Sequence, residues 1–283
     1  MIQSLFAGVS GMLANQDEMD VIGNNIANAN TTAFKASTAD FEESFNQVTR
    51  SATVNQPVGL SIGLGAQVSG TTTDFTQGVF QTTNVPTDMA INGSGFFTVQ
   101  SVGGTNYVTR NGAFVEDSSG YLRTSNGDFL MGVTGATAPT SPSAGYPPDK
   151  IQIPTSISGV GGVTTPVVSF AVDPTGSVSV TGQDGTTQVV GFVTVQSYNN
   201  DNGLVDDGGG LYSYQAAAGT NQYFSGGSAG AGTIQTGVLE ASNTDLSTEF
   251  ANMIIAQRGF EAAARVISVS DNMLQTVTDL KTQ

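Results

Sequence analysis

Residues 2–28, IQSLFAGVSGMLANQDEMDVIGNNIAN, and residues 245–281, DLSTEFANMIIAQRGFEAAARVISVSDNMLQTVTDLK, decide how this chain is read. In the first, Ile2, Leu5, Val9, Met12, Met19 and Ile26 recur at alternating three- and four-residue steps, with Gln16 and Gly23 in the two skipped places. In the second, Leu246, Phe250, Met253, Phe260, Ala264, Ile267 and Leu274 follow the same rule, interrupted by Gln257 and Asp271. That period predicts two long amphipathic helices with coiled-coil-like seams. A further apolar stripe flanks each seam, Phe6, Leu13 and Ile22 on one helix and Val266, Met273, Val277 and Leu280 on the other. One stripe serves one neighbour, so two stripes call for neighbours on two sides, and the chain supplies only one other long helix. The remaining neighbours are expected to be other copies of the same chain.

The ends of the helices are also written in the sequence. Asn24-Asn25-Ile26-Ala27-Asn28-Ala29-Asn30-Thr31-Thr32 is rich in side chains that bond their own backbone and tolerate left-handed conformations, so it should stop the first helix. Thr244 or Asp245 can cap the second, and Glu249 in its first turns suits the positive end of the helix dipole. Glu261 and Arg265 are spaced for an i,i+4 ion pair, and Lys281 stands near the negative end. Gly259 in mid-helix costs about 1 kcal/mol relative to alanine, which a close neighbour would explain. At 1.5 Å per residue the helices would be roughly 39 and 55 Å long.

Between them the chain reads as all-β. Turn dipeptides at Gln77-Gly78, Asn92-Gly93, Asn111-Gly112, Ser119-Gly120 and Asn126-Gly127 separate short β-prone runs such as Phe96-Phe97-Thr98-Val99 and Tyr107-Val108-Thr109. The expected fold is therefore α+β, a pair of terminal helices with an all-β region inserted. Its divisions are residues 1–30 and 243–283 for the helices, and 31–74 for a linker with extended or hairpin segments. A β-rich core takes 75–145 and 191–242, and a small β insertion, an outer domain reduced or absent, takes 146–190. Within the linker, residues 41–56 read as a loop with one helical turn, because Phe41, Phe45 and Val48 fall at helical steps among Ser and Thr, and Gly59–Gly65 reads as a strand connection. The Pro-, Ser- and Gly-rich stretch 134–148 reads as a surface excursion.

Composition removes most chemistries. The 283 residues contain no cysteine, histidine or tryptophan, so there are no thiolate nucleophiles, imidazole bases or disulfides, and the ligands of most soft-metal sites are missing. A net charge of −15, with only Arg110, Arg123 and Lys150 between residues 51 and 240, argues against nucleic acid and anionic membranes. No apolar run reaches membrane-spanning length, and no basic residue precedes Lys35, so neither membrane insertion nor a cleaved signal peptide is expected. Asn199 to Gly208 looks superficially like a calcium loop, but Val205 and the lack of a closing glutamate break the EF-hand spacing, and an Asx-turn is the simpler reading. No cofactor is expected.

The segment Asp20-Val21-Ile22-Gly23-Asn24-Asn25-Ile26-Ala27-Asn28, followed by Thr31, Phe34 and Lys35, resembles the N-terminal signature of the bacterial flagellar axial proteins, the rod and hook family. Here Ala33 stands where that pattern usually has glycine. Further stretches are similar to the same family: Gly93-Ser94-Gly95-Phe96-Phe97, Thr109-Arg110-Asn111-Gly112, Gly237-Val238-Leu239-Glu240-Ala241-Ser242-Asn243 and Ala256-Gln257-Arg258-Gly259-Phe260. Asn24, Asn25, Asn28, Phe34, Lys35 and Gly259 are its motif residues here. Self-assembly would fall to Leu5, Val9, Met12, Met19 and Ile26 with Leu246, Phe250, Met253, Phe260, Ile267 and Leu274.

The resemblance implies a structural, non-enzymatic subunit exported to the flagellum without a cleaved signal peptide. It would polymerise helically, with terminal helices lining a tube around an export channel and the β domain outside. Gly259-Phe260 points to a short hook protein, a flexible torque-transmitting joint whose partners would be rod and hook-filament junction proteins, the hook cap and the export apparatus. The alternative is a distal rod subunit, which shares the termini but is rigid. A β-rich carbohydrate-active enzyme using Asp206 and Asp207, or a secreted adhesin, are the remote alternatives. Adjacent strand residues face opposite ways, which weakens the former. With apolar seams facing two ways and no third helix, the ends are expected to be largely disordered in the free monomer and to fold on assembly.

Overall fold

The computed structural model describes residues 2–50, 60–135, 138, 143–158, 164–228 and 230–281. The chain forms two compact units, one of Met1–Ala29, Lys35–Asp74 and Thr244–Gln283, the other of Asn30–Phe34 and Phe75–Asn243.

The first unit holds both long helices, α1 at Ile2–Ala27 and α2 at Leu246–Lys281. They run antiparallel, since the hydroxyls of Ser4 and Ser270 stand 3.2 Å apart at one end and the Asn25 amide donates to Glu249 Oε1 at 3.1 Å at the other. Asp245 caps α2, its carboxylate accepting from the Ser247 N–H at 2.9 Å and from the Thr248 hydroxyl at 3.2 Å. Asn28 ends α1 by donating its side-chain amide to Asn24 O (3.0 Å) and Asn24 Oδ1 (2.8 Å).

Residues 35–74 belong to this unit and contain four strands: β1 Ser37–Glu43, β2 Asn46–Arg50, β3 Leu60–Gly63 and β4 Ala66–Thr73. β1 pairs antiparallel with β4 from Ser37↔Thr73 to Glu43↔Ala66, and β2 with β3 from Asn46↔Gly63 onward. The Ser44 N–H to Gly65 O bond (2.8 Å) and the Leu64 N–H to Phe45 O bond (3.0 Å) join the two pairs into one twisted ribbon. The loop with a helical turn expected from residue 41 is thus corrected to strand through Arg50; residues 51–56 lie outside the described ones. Phe41, Phe45 and Val48 do fall at helical steps, but a strand partner some twenty residues away settles the backbone, and no local pattern reports it. The expected strand connection at Gly59–Gly65 is itself largely strand.

The second unit is all-β. Among the described residues a 14-stranded antiparallel sheet runs from Ser156–Ser158 through Thr164–Val172, Ser177–Gly182, Thr187–Ser197, Phe129–Thr134, Phe96–Gln100, Asn106–Thr109 and Leu211–Ser213 to Val205–Gly208. Its central strands are buried on both faces. Phe97, Val99, Val193 and Val195 join the main core with Met89, Phe114, Leu122, Leu130, Ile151, Val178 and Val180, whereas Phe96, Val108, Tyr198 and Tyr212 form a smaller aromatic cluster. Residues 146–190 contribute Ile151, Ile153, Ile157, Val178 and Val180 to that same main core. Gly112 sits where a Cβ would stand 1.5 Å from Met89 O, which explains why the Asn111-Gly112 turn admits no side chain.

Candidate assembly surface

The two helices meet through small residues. On α2 the buried positions are Glu249, Ala256 and Ser270, and with half-buried Ala263 they make a strict seven-residue repeat. Facing them on α1 are Ser4, Gly8, Gly11 and Asn15. A Cβ on Gly8 would stand 2.9 Å from Ile267 Cγ1 and 3.3 Å from Ala263 O, and one on Gly259 would stand 2.2 Å from Asn15 Oδ1. The Asn15 amide is meanwhile engaged, donating to Gly11 O at 2.5 Å. Small residues let the backbones approach closely, and the bulky side chains flank the contact.

Those flanks contain part of the expected seam. Leu5, Met12, Met19 and Ile26 on α1, with Met253, Phe260, Ile267 and Leu274 on α2, are half-buried at strict heptad spacing. Val9, Leu246 and Phe250 are not brought into the helix contact and stand exposed. The contact face is rotated by one residue from the expected one: Gly8, Asn15 and Ile22 replace the line of Val9, Gln16 and Gly23, and Ala256, Ala263 and Ser270 replace that of Gln257, Ala264 and Asp271. Gln16, Gln257 and Asp271 therefore interrupt nothing, since the line they occupy faces outward. The flanking stripes Phe6 and Leu13, and Val266, Met273, Val277 and Leu280, are exposed, as are Ile254, Ile255 and Val269; Ile22 is buried.

The motif residues act as fasteners. Asn25 is 1 % exposed. Its side chain mimics a neighbouring strand toward Ser37, accepting from the Ser37 N–H (3.0 Å) and donating to the Ser37 carbonyl (2.8 Å), while also donating to Glu249. One amide thus ties the end of α1, the start of β1 and the first turn of α2. Burial raises the Glu249 carboxyl above its ordinary value, the Asn25 hydrogen bond opposing. Lys35 is 2 % exposed and among the largest fully buried side chains. Glu261 pairs with Arg258 (2.9 Å, i,i+3) rather than with Arg265, because Arg258 reaches it first across one turn; both groups are solvated, so the pair adds little.

In the second unit, Ala33 adopts φ +57 and donates its N–H to Glu240 O at 2.8 Å, and Phe34 O accepts from Asn243 N at 3.4 Å. Glu240 is buried; its Oε1 accepts from the Gly78 N–H at 2.8 Å, and its Oε2 lies 3.7 Å from Arg110 Nη1. Arg110 also donates to Gly93 O at 2.9 Å and stands 5.2 Å from the centre of the Phe96 ring. Burial lowers its guanidinium from the ordinary value and the Glu240 charge counters that. Sequence reading placed Arg110 and Glu240 within motifs without linking them, since 129 intervening residues hide the pair.

Beside α1 lies a groove of about 510 Å³, lined by Gln3, Phe6, Val9, Ser10 and Leu13 of α1 and by Ser44, Gln47 and Leu64 of the ribbon. At Asn199–Gly208 the chain forms a 3₁₀ turn at Asp201–Gly203 and an Asx-turn in which Asp206 Oδ1 accepts from the Gly208 N–H at 2.8 Å. Among the described residues, no group of three or more His, Cys, Asp or Glu is placed to hold a metal ion, and no helix is long and apolar enough to cross a membrane.

Three family models match along the chain: "Flagella basal body rod protein" at residues 5–35, "Flagellar hook protein FlgE/F/G D1 domain" at 90–180 and "Flagellar basal body rod FlgEFG protein C-terminal" at 235–280. The flagellar basal-body rod protein FlgG of Bacillus subtilis (strain 168) is 35 % identical over 290 residues, covering 99 % of this chain and 100 % of that protein. The protein of the same name from Borreliella burgdorferi is 34 % identical over 291 residues, covering all of both. The flagellar hook protein FlgE of Helicobacter mustelae is 45 % identical over 139 residues, 47 % of this chain and 31 % of that protein. Matched at both termini and through the β unit, and alike over its whole length to rod proteins, the chain belongs to the flagellar rod and hook family of axial proteins.

Proposed function

We propose that this chain is a distal rod subunit, a structural and non-catalytic protein that polymerises into a stiff hollow shaft transmitting torque from motor to hook. One observation carries the choice of rod over hook: the relatives that match from end to end are rod proteins, whereas the hook relative matches less than half of the chain and less than a third of itself. Head-to-tail association through an unsatisfied surface that does not close on itself builds a helical tube. The exposed stripes of α1 and α2 supply such a surface. The subunit reaches the flagellum through the export apparatus, and its axial neighbours are other rod proteins and the hook.

The hook reading keeps one point in its favour, the higher local identity of the hook relative together with Gly259-Phe260. Negative-stain microscopy of protein concentrated in added salt separates the two. Straight tubes support the rod, curved or supercoiled tubes would transfer the reading to the hook, and protein that stays monomeric would overturn both. The helices reach full order on assembly, so circular dichroism of the monomer should show less helix than the 26 and 36 residues of α1 and α2 provide, with the deficit made up in the tube.

A further inference from the structure

We propose that the groove between α1 and the ribbon receives the last turns of α2 from a second copy of the chain, with Met273, Val277 and Leu280 seated against Phe6, Val9 and Leu13. The inference rests on the polymer reading above and names the contact that would build it. Phe6 is 62 % exposed and Leu13 57 %, so the apolar wall of the groove is open; Val277 at 51 % and Leu280 at 75 % form an equally open ridge. The two match in length. Phe6, Val9 and Leu13 span seven residue steps of one helix, and Met273, Val277 and Leu280 span seven of the other, each roughly 10 Å at 1.5 Å per step.

A copy cannot fill its own groove. With Ser4 level with Ser270, Val9 stands level with residue 265 of the antiparallel α2, which places Val277 roughly 18 Å further along the axis. α2 runs unbroken through this stretch, so its last turns lead away from the groove. Ridge and groove are thus two different surfaces of one chain, and joining them between copies is heterologous and open-ended.

The chemistry of both surfaces suits dry contact. The polar residues lining the groove, Gln3, Ser10, Ser44 and Gln47, are uncharged, and two of them already bond each other, Gln3 Nε2 donating to Gln47 Oε1 at 2.5 Å. Beside the ridge, the Thr276 hydroxyl donates to Met273 O (2.8 Å). Its burial strands no donor. A partner of different sequence would need to reproduce this spacing, whereas every copy of the chain carries it.

The absence of cysteine makes the test direct, because any disulfide must join introduced positions. Each of Phe6→Cys, Val9→Cys and Leu13→Cys is combined in one chain with each of Met273→Cys, Val277→Cys and Leu280→Cys, polymerised, oxidised and run on a non-reducing denaturing gel. At least one combination should give a ladder of multimers holding most of the protein. The corresponding mixture of two single variants should stop at dimers. Val102→Cys with Val277→Cys, which places one thiol in the β unit, should stay monomeric. Tubes of normal length in which no combination cross-links overturn the groove contact and leave the polymer reading standing. The same result with Leu13→Cys shielded from maleimide in the tube would assign the groove to another occupant, again against the proposal. Wild-type protein that makes no polymer overturns the reading and the contact together.

Discussion

Replacing Gly8 with alanine adds a methyl group where α1 and α2 cross, and replacing Gly23 adds the same methyl group to the same helix where no atom lies within 4 Å. Both substitutions gain about 1 kcal/mol of helix propensity. At Gly23 nothing opposes that gain, so Gly23→Ala should stabilise the helix pair by about 1 kcal/mol. At Gly8 the new Cβ would stand 2.9 Å from Ile267 Cγ1 and 3.3 Å from Ala263 O. A β-branched isoleucine in a helix has essentially one χ1 to offer, and the second obstacle is backbone, so neither gives way without moving α2. Overpacking of this kind costs about 1–3 kcal/mol, which leaves Gly8→Ala about 1 kcal/mol less stable than wild type. The two variants should therefore differ by about 2 kcal/mol with opposite signs. Urea titration of the assembled protein at fixed concentration, followed by helix ellipticity, reads this as midpoints displaced in opposite directions by about 0.5 M for a slope near 2 kcal/mol/M. Equal upward shifts would show that the helices do not approach closely at Gly8, and the small-residue crossing would have to be abandoned.

Four other outcomes follow from the same geometry. Asn25→Ala removes the buried partner of the Ser37 N–H, the Ser37 carbonyl and Glu249, and at about 1–3 kcal/mol per unsatisfied group it should lose at least about 2 kcal/mol in the same urea experiment; a loss under half of that would mean the amide fastens nothing. Ala33→Gly relieves a left-handed backbone at φ +57 and should raise the melting temperature of the β unit, the strain outweighing the greater freedom of the unfolded glycine by about 0.5–1 kcal/mol; no rise would place the turn elsewhere. Glu249→Gln should gain stability over wild type near neutral pH and none at about pH 4. A carboxyl raised by burial contributes its full share below its unfolded value and loses it as pH climbs through the folded one, so a pH-independent difference between the two proteins would contradict the assignment. Finally, at −15 per subunit, the polymer fraction in sedimentation should grow as salt is added from about 0.05 to 0.5 M, and shrinkage would mean that attraction between charges drives assembly.

The helices, the start of α2 at Thr244 or Asp245, the end of α1 in the run 24–32, and the β unit could be read in the sequence because each is governed by neighbours within a few residues. The face of the helices was harder. Counting large apolar residues treats glycine, alanine and serine as gaps, which sets the seam through Val9 and Phe250, one residue from where the helices touch. The interruptions at Gln16, Gln257 and Asp271 were the available sign, since a seam with polar residues at regular intervals is better explained by a neighbouring line. The repeat Glu249, Ala256, Ala263, Ser270 is that line. Extended and hairpin segments within residues 31–74 were legible, β4 among them, but the strand character of residues 41–50 was not, because its register depends on a distant partner strand. Motif resemblance marked Arg110 and Glu240 but gave them no role, and only the folded β unit brings the charges together.

Packing α1 on α2 through small side chains has a consequence for assembly. That crossing consumes few of the large apolar side chains within one copy. Phe6, Leu13, Ile254, Ile255, Val266, Val269, Met273, Val277 and Leu280 remain in water. At about 1.5–3 kcal/mol for each large side chain fully buried, most of these nine must be covered to outweigh the roughly 4–15 kcal/mol of freedom lost when one subunit is fixed to the next. Such a surface on a neutral chain would aggregate without order. Here net charge opposes it between free copies, and the repulsion is long-ranged and screened by salt, whereas the apolar contact acts only when ridge and groove are in register. Repulsion thus penalises every misaligned encounter, and only the aligned one recovers enough buried area to overcome it, which selects a regular tube over a clump.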